Sequence, residues 1–270
     1  MARQPTGPPP APAVQRLRIK YAKRGRLRFT SHRDFQRAFE RALRRAQVPM
    51  AYSAGFTPHP KISYAGAAPT GVASEAEYLE IAVTRACDPV SLATVLDAAL
   101  PVGLDVLEVI EARTPDLANR LEASIWEIRL ADVSAAAASA AANAFLAADS
   151  VEVERLTKNG MRRFDARAAV ISLSVTRSGA QARGPELSVG CAILQVVVRH
   201  TTPAVRPDDV LAGLRRVADL APPAPAQVVR LAQGPLDDQG GAVTDPLAPD
   251  RDAAAAADAA APTRAGSAAS

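Results

Sequence analysis

The sequence predicts an α+β fold of two tandem βαββαβ units with antiparallel sheets, set between a disordered N-terminal arm and a disordered C-terminal tail. Three observations carry this. Alternating and 3.6-period apolar patterns follow one another as strand, helix, strand, strand, helix, strand over residues 14–112. The same order returns, more loosely, over 123–232. The ends, 1–13 and 233–270, carry Pro, Ala and Asp without apolar periodicity, a composition too weak to build a core.

In the first unit Leu17, Ile19 and Tyr21 alternate with Arg16, Arg18 and Lys20, the pattern of a half-buried strand over 14–21. Ser31 opens a helix that runs to about Gln47, with Asp34 placed to reach back as a capping-box acid. Lys61–Ala65 and Glu77–Thr84 read as strands. Asp88 with Pro89 starts a second helix ending near Leu100, and Gly103–Ala112 is the closing strand. That order is the ferredoxin-like split βαβ unit. A linker over 113–122 leads to the second unit: a strand from Ser124 to Leu130, an Ala-rich helix from Val133 to Ala148, and strands at Val151–Leu156, Arg167–Thr176 and Leu187–His200. The near-continuous apolar run AILQVVV places the last of these centrally in its sheet. A helix from Pro207 to Leu220 and a short strand at Gln227–Ala232 complete the unit.

Composition narrows the class. Apolar residues make up 48% of the 270 residues and charged residues 22%, a globular balance; aromatics are 4%, so Ala, Val, Leu and Ile must fill the core. No run of eighteen apolar residues is long enough to span a membrane, and the Pro-rich start lacks the apolar stretch of a signal peptide. Two cysteines, Cys87 and Cys191, exclude a disulfide framework and a Cys-only zinc or iron–sulfur site; both read as small hydrophobes in a reducing, cytoplasmic setting. Neither a phosphate-binding glycine loop nor an HExxH metal motif is present, so no cofactor and no metal are expected. Ser31, His32 and Asp34 are too close along one helix start to form an in-line relay. Glu75, Glu77 and Glu80 read as solvated or structural carboxylates, and Asp165 with Arg167 as an internal ion pair.

Charge is distributed unevenly. Residues 14–66 hold thirteen Lys/Arg and two acids, Asp34 and Glu40, a local charge of +11 against +4 for the whole chain. Arg-for-Lys usage is high throughout, which favours arginine everywhere but does not explain its concentration here without acidic partners. Within the helix, Phe35, Ala38, Phe39, Ala42, Leu43 and Ala46 form the apolar stripe, and Arg33, Arg37, Arg41 and Arg45 recur every fourth residue outside it, with Arg44 beside them. Stacked guanidinium groups repel one another unless anions compensate, and phosphates match their fork of donors. Ahead of the helix, Arg24, Arg26 and Arg28 surround Gly25 in a basic turn near its anion-favouring N-terminus. Behind it, the loop VPMAYSAGFTPHPKISYAG is stiffened by Pro49, Pro58 and Pro60 and carries Tyr52, Phe56, His59, Lys61 and Tyr64. Rings interleaved with cations suit stacking on unpaired bases; each ring singly could equally pack beneath the loop.

The run LRFTSHRDFQRAFERALRRAQVPMAYSAGFTPHPKISYA, followed by Gly71, Val72, Ser74 and Glu77, resembles the radical-SAM-linked family of uncharacterised bacterial proteins. The likeness extends over about residues 15–200, is most specific over 27–80, and includes an Asp-x-Arg signature at Asp165 and Arg167. The resemblance implies association with a radical SAM protein and no particular reaction; the radical SAM cysteine triplet is absent from this sequence.

Three readings follow. The first is a cytoplasmic, non-catalytic RNA-binding or substrate-presenting accessory factor in RNA modification or processing, with Arg24, Arg26, Arg28, Arg33, Arg37, Arg41 and Arg44 on phosphates and Tyr52, Phe56, His59 and Lys61 on bases or a chain end. The second is a metal-independent endoribonuclease using His59 with His32 and Lys61, because a pair of imidazoles suffices for acid–base cleavage of RNA. The third is a protein-interaction module whose basic helix docks a radical SAM partner.

Overall fold

One eight-stranded sheet runs through both halves of the chain in a computed structural model that describes residues 10–157, 160–176, 191–237 and 241–260. The first half contributes β1 (Gln15–Lys23), α1 (His32–Arg45), β2 (Ile62–Ala65), β3 (Ala73–Val83), α2 (Pro89–Ala99) and β4 (Leu104–Glu111). Its strands lie side by side as β4-β1-β3-β2, every pair antiparallel. The second half contributes β5 (Ala123–Leu130), α3 (Ala135–Ala147), the hairpin β6 (Glu152–Thr157) and β7 (Gly160–Asp165), then β8 (Val170–Thr176), β9 (Ala192–Arg199), α4 (Pro207–Ala218) and β10 (Gln227–Gly234). Here the order is β10-β5-β9-β8, again antiparallel, with β6 and β7 forming a separate two-stranded ribbon. The fold is therefore mixed α+β on a largely antiparallel sheet. Among the described residues no helix is long and apolar enough to cross a membrane.

The helices form where caps and stripes predict them. Ser31 accepts the Asp34 amide (3.2 Å), Asp88 that of Ser91 (2.8 Å) and Ser134 that of Ala137 (3.1 Å). The capping box at α1 differs from expectation: the Asp34 carboxylate accepts the Ser31 hydroxyl (2.7 Å), and among the described residues it accepts no backbone amide. Phe35, Phe39, Ala42 and Leu43 are buried, and α1 lays them on Leu17, Ile19, Leu79 and Ile81 of the sheet. A second apolar cluster under α3 and α4 centres on Phe145, Ile128, Leu194 and Leu214.

The two halves meet where β10 pairs with β3, the sheet's parallel contact, through Val229↔Ala73 and Arg230↔Ser74. Polar side chains hold this short seam. Arg230, 3% exposed, donates to Glu77, to Ser74 Oγ (3.2 Å) and to Gln233 Oε1 (3.1 Å), and lies 5.3 Å from the Trp126 ring centroid. Gln233 in turn donates to the carbonyls of Ala76 (2.6 Å) and Gly66 (3.2 Å). An isolated guanidinium or carboxylate would be costly here; each is retained because its donors and acceptors are nearly all matched.

Two expectations are corrected together. The tail was expected to be disordered from 233, but its described part is ordered: Leu236 bridges Val243, and α5 (Ala248–Ala260) packs near β4 with Leu247 and Asp250 buried. Residues 261–270 of that expectation lie outside the described residues, as do 1–9 of the arm. Likewise β1 is not half-buried. Arg18 is 2% exposed because the face it occupies is covered by α5 and the 112–120 segment, and its guanidinium meets Asp250, Glu80 and the Thr114 carbonyl. Smaller differences lie in the second half. Gly160–Asp165 pairs with β6 as a strand, and Asp165 makes no ion pair with Arg167; its carboxylate accepts the amides of Val151 (2.8 Å) and Arg167 (2.9 Å), while Arg167 donates to carbonyls of Leu146 and Val170. The start of the strand expected at Leu187 falls outside the described residues.

Candidate nucleic-acid interface

The outer face of α1 carries its arginines into solvent because the opposite face is committed to the core. Arg33, Arg37, Arg41 and Arg44 are all exposed. Only two carboxylates share the row, and both stand at the limit of contact: Asp34 is 4.0 Å from Arg37 and Glu40 is 4.0 Å from Arg44. Such exposed helix pairs are worth about 0.3–0.5 kcal/mol each and neutralise little of the row. Among the described residues Arg33 and Arg41 make no ion pair. Arg45 turns away, donating to the Ala99 carbonyl at 3.1 Å, and so serves the α1–α2 contact.

The loop after α1 is braced by its own backbone. Ala51 pairs with Ala82 and Lys61 with Ala51 (both 2.8 Å), tying its base to the end of β3. Ser53 and His59 close the tip, the Ser53 amide donating to the His59 carbonyl (2.8 Å) and the His59 amide to Ser53 Oγ (3.0 Å). Held this way, Phe56 is 70% exposed and Tyr52 is 40% exposed, while His59 and Lys61 are also solvent-facing. Tyr64 does pack inward, edge-on to Phe35 and to His32 (ring centroids 5.9 and 5.1 Å apart), and burial raises its phenol pKa. Loop and helix share one wall: Tyr52 and Pro60 line a crevice of about 30 Å³ with Glu40 and Arg44. Tyr52 therefore adjoins the C-terminal end of the arginine row.

Other expected residues are placed differently from one another. Arg26 and Arg28 lie with Arg24 on a 3-10 turn, Gly25–Phe29, ahead of α1. Arg24 is held by Glu75 and by Asp105 (2.7 Å), so it is neutralised from outside the basic block. Arg16 and Arg18 are neutralised the same way by Glu80. The block thus has acidic partners on its strand side and few on α1, which corrects the expectation of a block without partners. Arg28 sits 4.7 Å over the ring of Phe29, which is 59% exposed. Sequence reasoning missed Phe29 because one ring in an LRF run looks like core.

His32 is exposed at the start of α1, with Nε2 3.0 Å from Gln36 Nε2. Among the described residues no hydrogen bond or ring contact joins it to His59, and no cluster of His, Cys, Asp or Glu is arranged to hold a metal ion. What the surface offers is four exposed guanidinium groups in a row, two exposed rings on a braced loop and a third on the preceding turn. That set can contact phosphates and stack on bases.

The matching family model spans residues 16–207 and so includes α1, the braced loop and the Gly71–Glu77 segment. The chain belongs to the bacterial family described as an uncharacterized protein conserved in bacteria, DUF2344. The family match ends at the start of α4, leaving β10 and α5 outside it. No curated protein matches the chain.

Proposed function

We propose that this protein is an RNA-binding, substrate-presenting accessory factor in RNA modification or processing, working in the cytoplasm with a radical SAM protein. One observation carries the reading: an exposed arginine row on α1 ends beside Tyr52 of the braced loop that holds Phe56 in solvent. Arg33, Arg37, Arg41 and Arg44 contact phosphates; Tyr52 and Phe56 stack on unpaired bases, with His59 and Lys61 beside them. Arg26 and Arg28 extend the basic surface, and Arg24 stands beside them with its charge met by Glu75 and Asp105. Each half is read as a ferredoxin-like unit, supported by the strand orders β4-β1-β3-β2 and β10-β5-β9-β8. The radical SAM partner rests on the resemblance at residues 27–80.

Filter binding of total cellular RNA across a salt series tests this. On single strands the logarithm of affinity falls by about 0.7 per phosphate contact for each tenfold rise in salt. Replacing Arg37 and Arg41 by Glu should weaken binding strongly and lower that slope by about 1.4. Equal, salt-insensitive retention of both proteins rejects the reading. RNA cleavage in EDTA that disappears in His59→Ala would assign the surface to an endoribonuclease. Capture of a radical SAM protein that survives nuclease treatment, without RNA binding, would assign it to protein docking.

A further inference from the structure

Asp250 occupies a site built for an anion. Its Oδ1 accepts the amides of Arg113 and Thr114 (2.9 Å each) and the Thr114 hydroxyl (2.6 Å); its Oδ2 accepts Arg18 and Arg120 (3.1 Å). Five donors converge on one carboxylate, two of them guanidinium groups and two of them consecutive backbone amides, the donor set by which proteins hold phosphate and carboxylate groups. Arg18 is held in place by Glu80 (3.1 Å) and the Thr114 carbonyl (2.6 Å), and Arg120 by the Pro115 carbonyl (2.6 Å), so the donors are oriented from the receptor side and not by Asp250 alone.

Three further observations bear on what this cradle is for. A groove of about 480 Å³ opens beside it, lined by Arg16, Ser63, Tyr64, Glu80, Arg113 and Asp116 together with Arg18 and Thr114 of the cradle itself. A ligand whose oxyanion replaced the Asp250 carboxylate would have room there for its body. The occupant has few anchors besides Asp250: Leu247 sits in the cluster with Tyr78, Leu117 and Leu121, the Pro246 carbonyl accepts Arg120 (2.9 Å) and Arg251 pairs with Glu108 (2.6 Å), while α5 beyond Arg251 is mostly exposed. Finally, Arg18, Thr114 and Arg120 lie inside the family-matched region 16–207, whereas Asp250 lies outside it.

We propose that Arg18, Arg120, Thr114 and the Arg113–Thr114 amides form a binding site for a phosphate monoester, and that α5 is an internal competitor which fills the site with Asp250 until such a ligand displaces it. The site is on the sheet face opposite α1 and stands independently of the RNA surface proposed above. A free small phosphate and the 5′-phosphate of an RNA present the same group to the cradle. In the resting protein the tethered carboxylate acts at an effective concentration in the millimolar range or above, so only a ligand that also gains contacts in the groove displaces it.

Full-length protein is titrated with inorganic phosphate, adenosine 5′-monophosphate, and one RNA oligonucleotide in 5′-phosphorylated and 5′-hydroxyl forms. Binding is followed by calorimetry and amide hydrogen exchange over 241–260. In wild type, a ligand that reaches the site should raise exchange across α5. In Asp250→Ala, inorganic phosphate should bind at least about tenfold more tightly than to wild type and raise the unfolding temperature, because the tethered competitor is gone. Asp250→Asn, which keeps the side-chain volume, should gain phosphate binding in the same direction and serves if the alanine variant does not fold. Adding Arg18→Gln to either should abolish the gain, and Arg37→Glu/Arg41→Glu should leave it intact. A 5′-phosphate requirement identifies an RNA end as the source, and preference for the mononucleotide identifies a free ligand. Phosphate affinity equal in wild type and both Asp250 variants, or a gain that survives Arg18→Gln, overturns the proposal.

Discussion

Replacing Arg230 by alanine is the severest test of the seam between the two halves. The substitution removes three hydrogen bonds, one to a charged partner, and leaves the 2%-exposed Glu77 with the Ala68 amide (3.1 Å) as its remaining donor among these contacts. Breaking a buried pair by deleting one partner costs about 3–5 kcal/mol, because the surviving charge stays desolvated. Against a total stability of about 5–15 kcal/mol this removes roughly a fifth or more. For a chain of this size it lowers the unfolding temperature by roughly 6–20 °C, at about 2–4 °C per kcal/mol. Urea denaturation of Arg230→Ala, Glu77→Leu and the double variant Arg230→Met/Glu77→Leu, each followed by circular dichroism, separates the charge from the packing. Both single variants should be strongly destabilised and the double variant should recover most of the loss, since well-packed apolar replacements of buried pairs are often neutral or better. A single-variant loss under about 1 kcal/mol, or a double variant no better than the singles, refutes the argument that unpaired charge is what the seam cannot tolerate.

Other expectations follow from the same geometry. Gly213→Ala should destabilise although alanine is the better helix former by about 1 kcal/mol, because its Cβ would lie 2.5 Å from the Phe145 ring and 3.0 Å from Val151; thermal unfolding decides the sign. Phe56→Ala should leave the unfolding temperature within about 2 °C, as expected for a surface substitution, yet weaken RNA retention about fivefold or more, since base stacking on a ring is worth about 1–3 kcal/mol. Burial, partly opposed by the bond of Nδ1 to the Leu121 carbonyl (2.6 Å) and reinforced by Arg230, holds the His200 pKa below 6.5. Above that value the ring is neutral folded or unfolded and costs nothing; as pH falls through it the unfolded chain takes the proton first, so stability drops. Urea midpoints at pH 7.5 and 5.5 should differ less in His200→Gln than in wild type. For Asp250, burial raises the carboxyl's pKa, but the Thr114 and Arg113 donors and Arg18 more than offset it, and the net value lies below the ordinary 3.8. Its contribution is therefore complete above about pH 4 and lost as pH falls further, and Asp250→Asn should flatten the acid limb of the stability curve.

Much of the first half was legible because local and tertiary signals agree there. Ser31 caps, Phe35 through Leu43 stripe, and the arginines fall on the remaining face, so α1 could be read with its buried and open sides correctly assigned. The exposed rings of the loop were less legible, since nothing local distinguishes Phe56, which projects, from Tyr64, which packs inward. The largest misreading has one cause. Alternation on β1 assigns Arg18 to solvent, and the Ala-rich composition of 248–260 assigns that stretch to disorder. Each is wrong because of the other: Asp250 and Arg18 are 232 positions apart and stabilise one another only in the folded chain. Pro249 and Asp250 suit a helix start, and that local signal was not read. Arg24 belongs to the same class, since its partners Glu75 and Asp105 arrive from distant strands.

The position of β10 has a bearing on how the molecule is made. This strand, made after every other strand of the sheet, sits in the middle between β3 and β5. Until residues 227–234 leave the ribosome, the border of β5 that they cover carries unsatisfied amides and carbonyls, an invitation to pair with neighbouring nascent chains, whereas β3 is already paired with β2 along part of that side. Chains that stop before residue 227 should therefore aggregate more readily than chains that carry β10, and a chaperone that shelters β5 during that interval would raise the yield.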